Sequence, residues 1–139
     1  MNLDITGKIA LITGADSGMG KETARMLLQE GVRVAITDQP GGDLDASVED
    51  LKAHGEVIAV EADLTKLDDV KALFAKVREQ LGEPDILVNC AGVTGATGDF
   101  LDVDDAGWQS TIDINLMARC ASAARRSRRC APRNGAASC

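Results

Sequence analysis

Eight residues near the start of the chain, Thr13-Gly14-Ala15-Asp16-Ser17-Gly18-Met19-Gly20, have the types and spacing to hold a phosphate. They follow a short apolar run and open a segment with helical periodicity. One glycine allows a sharp turn, another lets a phosphate reach the main chain, and a third lets the helix pack close to the strand. The helix N-terminus then offers N–H groups and a partial positive charge to a pyrophosphate. The bare spacing also fits an ordinary glycine turn; its place between strand and helix is what points to a ligand. Asp38 ends the next apolar run, 18 residues after Gly20. A dinucleotide fold places there the acid that takes the adenosine ribose hydroxyls. Its charge would repel a 2′-phosphate, which favours NAD over NADP. On its own, Asp38 also reads as a solvated acid at a strand end. Asp63, in Glu61-Ala62-Asp63-Leu64-Thr65, reads equally well as a cap for the helix that follows.

Other chemistries find little support. The single histidine, His54, excludes multi-histidine metal sites, and no metal is expected. His54 precedes Gly55 and reads as a solvated residue near a helix end. Ser110 and Ser122 have no base or orienting acid beside them in sequence. Cys90 closes an apolar run and reads as a small buried thiol, while Cys120, Cys130 and Cys139 match no paired ligand spacing. Nothing in this cysteine usage demands an oxidising compartment.

The elements that must position the glycine loop and Asp38 follow from four short apolar runs. They are Ile9–Ile12, Val32–Ile36, Val57–Val60 and Ile86–Val88. Near-continuous β-branched character fits strands buried on both faces. Their starts are 23, 25 and 29 residues apart, room for one helix between each pair. Asp43 caps a predicted helix through Ala53. Leu67, Val70, Leu73, Phe74, Val77 and Leu81 mark a 3.6-residue stripe that stops at Gly82, and Ala24, Leu27 and Leu28 mark a shorter one that stops at Gly31. A further helix starts at Asp104, with Trp108, Ile112 and Asn115 on one face. This alternation predicts an α/β fold, a doubly wound parallel sheet of Rossmann type with four strands in the order 3-2-1-4.

Taken in order, the motifs resemble those of the short-chain dehydrogenase/reductase family. Thr13–Gly20 matches its T-G-x-x-x-G-x-G loop at every fixed position. Asp63-Leu64 is similar to the family's adenine-holding acid and its neighbour. Asn89-Cys90-Ala91-Gly92 matches the N-N-A-G element, with Cys90 in place of the second asparagine. Asp113-Ile114-Asn115-Leu116 resembles the segment that bears the catalytic asparagine, which maps to Asn115. The resemblance implies hydride transfer between a nicotinamide and a small alcohol or ketone. It implies NAD contacts at Gly14, Asp16, Ser17, Gly18, Met19, Gly20, Asp38, Asp63, Leu64, Asn89, Ala91 and Gly92. It covers residues 1 to about 117 and corresponds to the N-terminal part of a family domain. The family's Y-x-x-x-K pair has no counterpart, because the 139 residues include no tyrosine and no lysine follows Lys76. The serine-bearing strand is missing as well. Asn115 is thus the one catalytic residue that can be placed, and the chain itself is expected to be inactive. A non-catalytic dinucleotide-binding module and a non-functional fragment are the alternatives.

The net charge of −7 joins two unlike parts. Residues 1–116 hold all 22 acids and nine of the 15 basic residues, whereas residues 117–139 hold six arginines and no acid. The acidic body argues against a nucleic-acid surface there. We divide the chain into a partial dinucleotide-binding domain, residues 1–116, and an Arg/Ala-rich tail, residues 117–139. No Val, Ile, Leu or Phe follows Leu116, so the tail is expected to be disordered. Its composition matches GC-rich codons, and the favoured reading is a shifted frame near Met117. The rival is an authentic basic tail that binds anionic partners. Neither a membrane-spanning run nor a signal-peptide pattern is present, so a cytoplasmic location is expected. Normal oligomer assembly is not, and Ile86, Leu87 and Val88 are expected to form an open apolar sheet edge.

Overall fold

The computed structural model describes residues 3–125. Four parallel strands, β1 (Ile9–Thr13), β2 (Arg33–Thr37), β3 (Val57–Ala59) and β4 (Ile86–Asn89), form one sheet in the order β3-β2-β1-β4. Helices α1 (Gly18–Gln29), α2 (Leu44–Leu51) and α3 (Leu67–Gln80) fill the connections. The expected doubly wound α/β architecture and strand order are therefore what the chain adopts.

The apolar runs work because alternate residues face opposite sides of the sheet. Ala10 and Ile12 of β1, with Val34 and Ile36 of β2, pack beneath Ala24 and Leu28 of α1 and Leu44 and Leu51 of α2. Ile9, Leu11 and Ala35 face the other way, onto Val70, Leu73, Phe74 and Val77 of α3. The stripe read from residues 67–81 is thus the buried face of α3. Each fully buried Leu, Phe or Val contributes roughly 1.5–3 kcal/mol. β1, with a neighbour on each side, is buried at every position, while β4 is half-buried throughout. Among the described residues no strand pairs with the outer edge of β4.

Helix starts follow their acids. Asp43 accepts a hydrogen bond from the Ala46 N–H at 3.3 Å, and Asp104 accepts one from the Gly107 N–H at 2.8 Å. The helix expected to run through Ala53 instead ends at Leu51 and tightens into a 3-10 turn, Lys52–His54.

The larger correction concerns the end of the chain. α4 (Asp105–Ile112) passes into a π-helical turn, Asp113–Met117, and continues as α5 (Ala118–Ala123). Disorder was expected from residue 117, but the described part of that segment is helical. Small residues suffice here: Ala118 and Ser122, one turn apart, are buried, and α5 packs against α3. Arg78 of α3 spans the junction, donating to the Arg125 carbonyl at 3.4 Å and to Glu83 at 2.6 Å. Residues 126–139, with Cys130, Cys139 and most of the tail arginines, lie outside the described residues.

Candidate functional site

The parallel register sets Thr13 of β1 beside Thr37 of β2 and Asn89 of β4. The three strands end at one level, and the loops leaving them share one edge of the sheet. Chain order reverses between β1 and β4, the crevice where open α/β sheets hold ligands. A cavity of about 620 Å³ lies there. Gly14, Asp16, Ser17, Met19, Gly20, Asp38, Asp63, Leu64, Ala91 and Gly92 all line it; Gly18, Asn89 and Asn115 do not.

The glycine loop is tight for a physical reason. A Cβ on Gly14, whose φ is +66°, would lie 2.6 Å from the Cα of Ala91. A Cβ on Gly20 would lie 2.0 Å from the Gly14 carbonyl oxygen. Side chains at these positions would push the loop off the end of β4 or lift α1 from the loop. The buried Thr13 hydroxyl fastens the same junction by accepting from the Ala91 N–H at 3.2 Å. The Ser17 side chain, at the N-cap of α1, makes no capping bond, and no acid lies in the first turn. The Ser17 hydroxyl instead donates to Asp16 at 2.9 Å. The leading N–H groups of α1 are thereby left for an anion. Met19, 80% exposed, stands at the mouth.

Asp38 is held at the end of β2 by two main-chain donors, the Gln39 N–H at 2.8 Å and the Asp16 N–H at 3.3 Å. Burial pushes its carboxyl above the usual range, and the neighbouring charge of Asp16 pushes the same way against those two donors. Asp63 is shifted oppositely. The Thr65 hydroxyl, at 2.6 Å, is the main cause of its lowered pKa, helped by the Thr65 N–H and by Lys66 at 3.2 Å. Asp63 thus braces its own turn and does not cap α3, whose N-cap position is Lys66.

Asn115 falls in the π-helical turn, and its amide grips one residue from both sides. It accepts from the Val93 N–H and donates to the Val93 carbonyl, each at 2.9 Å. The side chain therefore holds the loop that follows β4. π turns recur at functional positions. Two buried polar atoms at the strand ends, Thr37 Oγ1 and Asn89 Oδ1, have no hydrogen-bond partner among the described residues.

Several residues of the site escaped the sequence reading. Cys90 is half-buried and lines the cavity, where a buried structural thiol was expected. Gln39, Val93 and Ser110 also line it, as do Asp113 and Ile114 of the asparagine-bearing segment already recognised in sequence. Gln39 and Val93 directly follow recognised motif residues, which is the signal that could have found them. Ser110 carries no such signal; only the packing of α4 brings it to the cavity. The walls include four carboxylates, Asp16, Asp38, Asp63 and Asp113, and among the described residues no Lys, Arg or His lines them.

Comparison with known proteins agrees with this geometry. The profile of the short chain dehydrogenase family matches residues 8–129. The chain is 39% identical over 133 residues to the uncharacterized oxidoreductase YvrD of Bacillus subtilis, covering 96% of this chain and 48% of that protein. It is 39% identical over 111 residues to a 3-oxoacyl-acyl-carrier-protein reductase of Staphylococcus epidermidis, covering 78% and 45%. Among solved structures it is similar to L-sorbose reductase from Gluconobacter frateurii complexed with NADPH and L-sorbose. That match has a TM-score of 0.82 and 32% identity and covers 89% of this chain and 48% of the other. An actinorhodin polyketide ketoreductase with NADPH matches with a TM-score of 0.80 and 32% identity, over 84% and 45%. The chain belongs to the short-chain dehydrogenase family of oxidoreductases. It spans about half the length of the curated relatives it matches.

The family binds a nicotinamide dinucleotide, and the residues present fit one. Gly14 and Gly20 leave no room for a Cβ, Ser17 leaves the first turn of α1 uncapped, and an acid stands at the end of β2.

Proposed function

We propose that this chain is the dinucleotide-binding part of an NAD-dependent oxidoreductase acting on an alcohol or ketone, and that the chain alone binds NAD without transferring hydride. The observation that carries the proposal is the junction of the glycine loop with Asp38, where the Asp16 N–H donates to the carboxylate at the edge of one cavity. Gly14, Gly18, Gly20 and the first turn of α1 would hold the pyrophosphate. Asp38 would accept from the adenosine ribose hydroxyls, and Asp63 with Leu64 would border the adenine. Asn89, Ala91 and Gly92, braced by Thr13, would form the wall towards the nicotinamide. Asn115 fixes that wall through Val93. In the whole oxidoreductase, the bound dinucleotide would supply or accept the hydride.

A proton must also move at the substrate oxygen, and the family uses a tyrosine for that step. The chain has none, which supports binding without turnover. The reductase names of the similar proteins support the alcohol and ketone class. Two of them hold NADPH; for this chain the charge of Asp38 supports NAD. No helix among the described residues is long and apolar enough to cross a membrane.

The test is calorimetric titration of the chain with NAD+, together with absorbance at the NADH band in the presence of primary and secondary alcohols. Saturable one-to-one binding without NADH formation is expected. No binding overturns the module reading and leaves the non-functional fragment. NADH formation overturns the inactivity.

A further inference from the structure

The carboxylate of Asp38 is not alone at its end of the cavity. Asp16, from the loop between β1 and α1, lines the same wall. The two residues are 22 apart in sequence, and the parallel β1–β2 register that sets Thr13 beside Thr37 brings them together. Asp16 is firmly located. Its carbonyl accepts from the Ser47 hydroxyl of α2 at 2.6 Å, and Ser47 is fully buried. Its Oδ1 accepts from the Ser17 hydroxyl. Its Oδ2 points towards the loop after β2, where a Cβ on Gly42 would lie 2.8 Å away. Among the described residues neither Asp16 nor Asp38 takes part in an ion pair. The cavity, the uncapped turn of α1 and the family's cofactor are what place a ligand here. The acids bear on which dinucleotide it is.

We infer that Asp16 is a second determinant of dinucleotide choice, acting beside Asp38 to exclude a 2′-phosphate. The inference rests on the dinucleotide reading above. A phosphate on the ribose 2′ oxygen would meet two uncompensated carboxylates on two separate elements. A free 2′-hydroxyl can donate to such a site. Neutralising Asp38 alone leaves Asp16 in place, so a single exchange at the end of β2 should not convert the preference. The raised pKa of Asp38, to which the charge of Asp16 contributes, agrees with two acids sharing one wall.

The test compares the wild-type chain with Asp16→Asn, Asp38→Asn and the double variant, titrating each with NAD+ and with NADP+. Each single exchange should lower the NAD+/NADP+ selectivity at least about tenfold, since one like-charge contact near a protein surface is worth that factor or more. The double variant should lose more than either. A merely structural role for Asp16 would weaken both nucleotides together and leave the ratio unchanged. That result overturns the inference while sparing the dinucleotide reading. Binding of neither nucleotide by the wild-type chain overturns both. A readout without nucleotide is the carboxyl titration of Asp38 by carbon NMR. It should move to lower pH in Asp16→Asn, and an unmoved titration overturns the pairing.

Discussion

The placement of Asp38 at the end of β2 comes at a cost to folding. Its carboxyl is raised by burial first and by Asp16 second. The folded chain therefore keeps a proton at a pH where the unfolded chain has released it. Stability falls as pH rises from the ordinary carboxylate value of 3.8 through the raised folded value, then levels off. In the absence of nucleotide, Asp38→Asn should raise the thermal midpoint at pH 7. The gain should be under about 1 kcal/mol, because solvent screens a half-exposed group. It should shrink below about pH 4. A midpoint below wild type at pH 7 would mean that the bonds from Gln39 and Asp16 outweigh burial. Asp63 behaves inversely. Its lowered pKa supports the fold above 3.8, and that support is lost as pH falls through the folded value. The presence of both acids was legible in sequence. Their opposite titration was not, since it depends on a hydroxyl two residues away in one case and mainly on burial in the other.

The strands declared themselves because a buried parallel strand must be apolar on both faces, as Ile9–Thr13 is. α3 did so because its stripe is long and regular. The turn after Ile112 left no such mark. A π turn takes up an extra residue, which a constant 3.6-residue count does not register. α5 was missed for another reason. Its buried face consists of Ala118 and Ser122, which draw no hydrophobic stripe yet fit closely against α3. The π turn presents Asn115 to Val93, and that contact can be tested. Asn115→Ala removes two hydrogen bonds and should cost about 1–2 kcal/mol. Amide exchange at Val93 should speed up while that of β1 stays slow. Equal acceleration in β1 would mean that the clamp supports the whole sheet and not one loop.

At the scale of the whole molecule, the fold gathers the ends of β1, β2 and β4 and the start of α1 around one cavity, and gives that cavity acidic walls. The half-buried β4, with no partner on its outer edge among the described residues, is a place for unwanted pairing. Heating a concentrated sample should therefore produce light scattering near the unfolding midpoint. A clear, fully reversible melt would show that the edge is protected. The acidic walls have a kinetic consequence. A dinucleotide is itself an anion, and it approaches a body with a large excess of acids through an opening that no Lys, Arg or His lines among the described residues. Long-range forces oppose the encounter, and only short-range contacts at the glycine loop reward it. Dissolved salt weakens the opposing field, whose reach falls from about 30 Å at 0.01 M to about 8 Å at 0.15 M. Stopped-flow association with NAD+ should therefore quicken as salt is added across that range, the reverse of an encounter steered by opposite charges. The chain would capture its nucleotide more readily in the ionic medium of a cell than in dilute buffer.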